Sequence, residues 1–302
     1  MVDHEPAATP LAPDPLYMLA YDHRQVLRDL FPEAPVEQLE ASKGIVLDAL
    51  EILAADVDRA SLAFLVDEEY GGAAARNARE REVYLAMPIE ASRTPIFQFQ
   101  HPDDYAERFA DYDPHCVKAL VFHNPADDDA RKQEQIELLR RSGELAKQQG
   151  RDYLLEVLIT PTAEQIEAGG GDKVGYRAKV FPKLLVESIA ELQAAGIEPD
   201  VWKIEGLETV ADTQAVADQA NADGRDHVRC IVLGSGESQE KVLSWIANAA
   251  AVPTFSGFAI GRTIWHGPLG EHFAGAITRE QASEKMARSF GELIAAFGRE
   301  GS

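Results

Sequence analysis

Residues 201–207 read VWKIEGL, a β-branched and aromatic run interrupted by Lys203 and Glu205. Side chains alternate across a strand, so Trp202 and Ile204 share one face while Lys203 and Glu205 share the other. An ammonium or carboxylate withdrawn from water costs on the order of several kcal/mol unless it is paired or used. Other apolar runs carry charges too: Asp22 and Arg24 after YMLAY, Asp67 and Glu69 after LAFLV, Glu90 after YLAMPI. Lys118 lies within CVKALVF, Glu156 within YLLEVLI, and Arg262 follows FAIG. Any one of these alone is as readily part of a structural ion-pair network. As a set, two lysines and a glutamate on neighbouring strands put an amine beside a second cation and a proton acceptor. A desolvated lysine next to another cation is more readily the free amine that attacks a carbonyl to form a Schiff base. The iminium is an electron sink for breaking or making a carbon–carbon bond, and a carboxylate such as Glu156 can move the protons.

Those positions are meaningful only if the runs are strands of one sheet. Eight short apolar runs begin near Tyr17, Ala60, Val83, Cys116, Tyr153, Val201, His227 and Ser256. Between them lie stretches such as VEQLEASKGIVLDALEILAA, ARKQEQIELLRRSGELAKQQG and VFPKLLVESIAELQAAG, with apolar residues near i, i+3, i+4 and i+7. Gly150, Gly196 and Gly224 read as helix stops, and Thr278 with Gln281 as the start of the closing helix. Strand then helix, eight times over, predicts a single (β/α)8 barrel of the α/β class spanning 16–302. An open doubly wound sheet is the second choice, weakened because DHRQVL stands where a G-x-G-x-x-G would follow the first strand. The long connection SRTPIFQFQHPDDYAERFADYDPH contains a short helix around DDYAERFA and is placed to cover the active face as a lid.

Composition removes several classes. With 29 basic and 51 acidic residues the net charge is −22, which repels nucleic acid and anionic membranes, though local cations can still hold a small anion. Two cysteines, Cys116 and Cys230, exclude a disulfide framework. The first fifteen residues, MVDHEPAATPLAPDP, hold four prolines and three acidic residues and read as a mobile arm, neither signal peptide nor anchor. No apolar run is long enough to span a membrane, so the default compartment is the cytoplasm. Barrels often associate through outer helices, making a homo-oligomer a candidate, but Trp245 is expected to pack on the barrel instead.

The loops after strands seven and eight, LGSGES and GRTIWHGPLG, supply Gly234, Ser235, Gly236, Gly261 and Arg262. In barrels such loops hold phosphate on backbone N–H groups, with a basic side chain as clamp. His23, Arg24 and Glu90 are further candidates for substrate contact. The eight histidines show no metal-binding spacing, which disfavours a three-histidine zinc site, whereas Asp67, Glu69 and Glu90 leave Mg²⁺ open.

AYDHR, AMPIE, VKALVFHNP, LLEVLITP, DVWKIEGL, CIVLGSG and GFAIGRTIW, in this order, resemble the aldolase domain at the C-terminus of bacterial inositol-catabolism kinase fusions. That domain is associated with cleavage of 2-deoxy-5-keto-D-gluconate 6-phosphate. More distantly the motifs are similar to class I tagatose-bisphosphate and sulfofructose-phosphate aldolases. The resemblance implies a cofactor-independent class I aldolase with Lys203 as the Schiff-base residue, Lys118 as the lysine that tunes it and Glu156 as acid/base. It makes Asp22 a hydroxyl or proton-relay contact and places phosphate at Arg262 with Gly234 to Gly236. The implied products are dihydroxyacetone phosphate and malonate semialdehyde. Ala91 and the amide-rich IFQFQHP depart from the inositol branch, which keeps a ketohexose phosphate or sulfonated analogue open as substrate. Gly234 stands where the tagatose branch has a serine, pointing to a backbone contact with phosphate. A silent barrel that binds a sugar phosphate is the remaining alternative.

Overall fold

In the computed structural model, which describes residues 12–298, eight parallel strands close into a barrel in chain order. The chain runs β1 (Leu16–Tyr21), α1 (Gln25–Leu30), α2 (Val36–Leu53), β2 (Leu62–Val66), α3 (Gly72–Glu80) and β3 (Tyr84–Pro88). It continues through α4 (Tyr105–Tyr112), β4 (Cys116–Phe122), α5 (Asp129–Gln148), β5 (Asp152–Leu158), α6 (Ala163–Gly169), α7 (Lys173–Lys179) and α8 (Phe181–Ala194). The last third is β6 (Val201–Glu205), α9 (Val210–Ala220), β7 (Arg229–Leu233), α10 (Gln239–Ala250), β8 (Phe255–Ile260), α11 (Arg262–Phe273) and α12 (Arg279–Phe297). Pairing of Leu16 with Gly257 closes the ring. Gly257 permits that closure, because a Cβ there would lie 1.9 Å from the Leu16 carbonyl oxygen.

Alternation along the strands sorts two cores. Outward residues such as Leu19, Phe64, Trp202, Ile204 and Phe258 are buried against the helices in one large cluster. Full burial of each such side chain stabilises by about 1.5–3 kcal/mol. Inward residues form a second cluster of small and medium side chains, including Met18, Ala63, Leu65, Ala86, Leu154 and Val201. Following the inward rows toward the C-terminal ends, apolar residues give way to charge: Ala20 to Asp22, Leu154 to Glu156, Val201 to Lys203. One end of the barrel is therefore packed and the other is chemically equipped.

The glycine stops are left-handed, with φ of 63° at Gly150, 77° at Gly196 and 81° at Gly224. Thr278 and Gln281 form a reciprocal capping box. Trp245 is buried on the barrel, as the packing reading expects. The expected arm lies outside the described residues except for 12–15. There Ala12 is buried, and Arg229 donates to the carbonyls of Ala12 and Pro13 at 2.7 and 3.1 Å. No helix among the described residues is long and apolar enough to cross a membrane.

GRTIWHGPLG is a correction. Read from sequence as the end of a strand and a loop, it is the greater part of α11, and Arg262 opens that helix instead of ending β8. Two glycines and Pro268 argue locally against a helix. Burial of Ile264, Trp265 and Leu269 overrides them, and the Trp265 indole N–H donates to the Ala20 carbonyl at 3.1 Å.

Candidate active site

All twelve residues singled out for catalysis or substrate contact line one cavity of about 380 Å³ at the C-terminal mouth. At its floor a cluster of charges draws on five strands, β1 and β3 to β6. Lys118 Nζ donates to Asp22 Oδ2 at 2.9 Å and to Glu90 Oε1 at 2.7 Å, and lies 3.0 Å from Glu156 Oε2. The same Glu156 oxygen accepts from Lys203 Nζ at 2.9 Å. Parallel pairing sets this up by placing Glu156 beside Lys203 in register.

The two lysines have different settings. Lys118 is 2% exposed; burial works against its charge, but Asp22, Glu156 and Glu90 together raise its pKa well above the ordinary value. It is a fixed cation. Lys203 has one carboxylate neighbour, Glu156, and faces the open cavity. Burial would raise the Glu156 carboxyl, yet Lys118 and then Lys203 hold it below its usual value. Asp22 behaves alike: burial is overruled by Lys118 and Lys203, which leave it far below the carboxylate range. Burial dominates at Glu90, whose pKa is raised despite Lys118 and Arg24. Burial also pushes the His23 imidazole down to about 4, so it is neutral, edge-on to Trp265.

Sequence reading missed the braces behind this row. Lys43 on α2 has no solvent exposure and donates to the carbonyls of Tyr21 at 2.5 Å and His23 at 3.1 Å, on either side of Asp22. Its third partner is Asp67 Oδ1 at 2.5 Å, while Asp67 Oδ2 accepts from the Tyr70 N–H. Asp67 therefore points at a helix and away from the cavity, which corrects its place among the strand-end charges that could serve the site. A signal existed: Lys43 falls four residues after Leu39 and three before Val46, on the apolar stripe of α2. Lys43→Met should lower unfolding free energy by about 3 kcal/mol by orphaning Asp67, and Lys43→Met/Asp67→Leu should regain most of it in urea titrations. Among the described residues no group of three His, Cys, Asp or Glu side chains is placed to hold a metal ion. Asp67 is taken by Lys43 and Glu90 by Lys118, so the Mg²⁺ grouping does not assemble.

Arg24 is buried where it follows β1. Its Nη1 donates to the Glu90 carbonyl at 2.8 Å and to Gln100 Oε1 at 2.5 Å. Through Gln100 it ties down the connection after β3, where Glu90 and Phe99 form an antiparallel bridge. That connection lines the cavity with Ala91 to Thr94 and Phe97, while His101 turns to Glu68. Glu205 pairs with neither lysine. Arg177 of α7 reaches it at 3.2 Å, and the Ser235 hydroxyl donates to the same oxygen. Arg177 also stacks on Phe181 and Trp245, so it joins the loops after β5, β6 and β7. The seven residues of α7 are too few to show an apolar period, which is why Arg177 escaped notice.

On the opposite wall Arg262 Nη2 donates to the Ser235 carbonyl at 2.8 Å. Its guanidinium crosses Gly236, where φ is 70° and a Cβ would meet Nη2 at 1.6 Å. Any other side chain there would strain the left-handed backbone and displace the guanidinium. Because the Ser235 hydroxyl is turned to Glu205, the groups left for an anion are backbone N–H and the Arg262 guanidinium.

Comparison with known proteins gave no match among curated sequences. Among solved structures, Cgl0159 from Corynebacterium glutamicum is similar at a TM-score of 0.59 and 15% identity, over 92% of this chain and 85% of that chain. A fructose-bisphosphate aldolase from Slackia heliotrinireducens gives 0.54 and 13%, covering 95% and 87%. The YdjI aldolase from Escherichia coli K12 gives 0.54 and 12%, covering 95% and 93%. At these identities the likeness supports the barrel fold. One family model, described as "Uncharacterized protein conserved in bacteria (DUF2090)", matches residues 4–301, and the chain therefore belongs to the DUF2090 family.

Proposed function

We propose that this protein is a class I aldolase that cleaves a phosphorylated keto-sugar through a Schiff base on Lys203. The observation that carries the reading is the Lys203–Glu156–Lys118 row. An amine facing a cavity has one proton-transferring neighbour, and that neighbour is held as an anion by a second, fixed ammonium. A lysine that served only structure would be expected to share the saturated surroundings of Lys118. Lys203 Nζ adds to the ketone, and Glu156 moves protons as the carbinolamine loses water to give the iminium. Cleavage of the bond between the α and β carbons leaves an enamine on Lys203. Its protonation and hydrolysis release dihydroxyacetone phosphate.

The resemblance of the strand motifs favours 2-deoxy-5-keto-D-gluconate 6-phosphate as substrate, with malonate semialdehyde as the departing aldehyde. Arg262 with the backbone of Gly234 to Gly236 would receive the phosphate, and the cavity wall near Arg24 and Ala91 would receive the other end. The test is to incubate the protein with dihydroxyacetone phosphate, reduce with borohydride and map the adduct by mass spectrometry. An adduct on Lys203 is expected. No adduct sinks the proposal and leaves a non-catalytic sugar-phosphate-binding barrel, whereas an adduct on another lysine moves the Schiff base away from Lys203.

A further inference from the structure

We propose that Glu90 is the base that takes the β-hydroxyl proton as the carbon–carbon bond breaks, leaving Glu156 to the steps at Lys203. This inference rests on the Schiff-base reading and divides its proton transfers between two carboxylates. Cleavage needs an acceptor at the β-oxygen, away from the imine carbon. Glu156 is poorly suited to that second task. Its Oε2 already accepts from Lys203 at 2.9 Å and lies 3.0 Å from Lys118, and both cations disfavour its protonated form.

Glu90 has the complementary setting. It follows β3 on the inward row, is 6% exposed and lines the cavity. Oε1 accepts from Lys118, while Oε2 is buried and has no hydrogen-bond partner among the described residues. A carboxylate oxygen left dry and unpartnered is costly unless a ligand completes it. Nearby, Arg24 Nη2 is 3.7 Å from Glu90 Oε1, and Arg24 Nε is likewise buried and unpartnered. One acceptor and one donor without partners on the same wall match a hydroxyl, which can give its proton to Oε2 and accept from the Nε–H. Charge balance for Lys118 does not require Glu90 Oε2, since Asp22, Glu156 and Glu90 Oε1 already surround the ammonium. The common contact with Lys118 also keeps Glu90 and Glu156 within reach of a single substrate chain. Burial, which raises the proton affinity of Glu90, suits it to accept a proton and later release it.

The step balances as follows. With the iminium formed on Lys203, Glu90 Oε2 takes the hydroxyl proton, and the O–H electron pair becomes the π bond of the aldehyde. The α–β bond pair moves to the α carbon and neutralises the iminium, giving the enamine. The aldehyde departs, and protonated Glu90 returns its proton to water.

Two partial reactions separate the roles. Dihydroxyacetone phosphate alone in D₂O exchanges its α-hydrogen through iminium and enamine, without any β-hydroxyl, and NMR follows that exchange. Condensation with malonate semialdehyde or glyceraldehyde requires the β-oxygen group. Glu90→Gln should keep α-exchange and the borohydride adduct within about threefold of wild type while lowering condensation at least about 10²-fold. Glu156→Gln should lower both. Equal losses of exchange and condensation in Glu90→Gln, or undiminished condensation, overturn the proposal. Should Glu90→Gln fail to fold, Glu90→Asp supplies the same comparison, with condensation again falling far more than exchange. Wild-type protein that forms no adduct defeats the Schiff-base reading, a result distinct from either.

Discussion

Lys203→Met should abolish the borohydride-trapped adduct and reduce turnover of the keto-sugar phosphate by at least about 10⁴-fold, because no other group replaces a covalent nucleophile. The fold should survive. Glu156 would still have Lys118 at 3.0 Å, so the substitution orphans no buried charge. Adduct mass spectrometry and urea unfolding on one preparation check both halves. A stable Lys203→Met variant that still forms the adduct would transfer the chemistry to another lysine. The obvious alternative, Lys118, is ill placed because three carboxylates keep it charged.

Lys118→Met should behave differently, losing stability as well as rate. Asp22, Glu90 and Glu156 would share a buried space with Lys203 as the cation beside Glu156 and Arg24 near Glu90. Removing one partner of a buried ion cluster costs about 3–5 kcal/mol. The pH dependence gives a sharper readout. Asp22 and Glu156 are held below their ordinary values of 3.8 and 4.5, so the folded protein binds fewer protons there than the unfolded chain. Their stabilisation is complete above those values and is lost as pH falls through the lower folded ones. Glu90, whose pKa is raised, has the opposite sign. Without Lys118 the first two carboxyls move up, and unfolding free energy should fall less steeply from pH 5 to pH 3 than in wild type. Urea titrations across that range measure the slope. An unchanged slope would mean that Lys118 does not hold Asp22 and Glu156 ionised.

Both substitutions act on residues visible in the sequence, for a simple reason. A strand has a side-chain period of two, and a parallel barrel turns one face of every strand inward, so Lys118, Glu156 and Lys203 declare their direction by position alone. The eight strands were legible as short apolar runs set between stretches of helical period, because a barrel strand is buried on both faces. The short helices were less so: α6 and α7 flank a run of glycines, and α11 carries Pro268 and two glycines. Packing of Trp265 and its neighbours holds α11 helical despite that local preference.

The sequence by itself determined the barrel, the inward charged rows and the glycine-rich loop after the seventh strand that lines the site beside Arg262. Tertiary structure alone decided how the charges pair. Glu205 turned from the lysines to Arg177, Asp67 turned outward to Lys43, and Glu156 took both lysines on one oxygen. The physical reason is range. Side-chain direction is fixed locally by backbone geometry, whereas an ion pair is chosen among all charges that folding brings within a few ångströms, including those on helices far away in the chain.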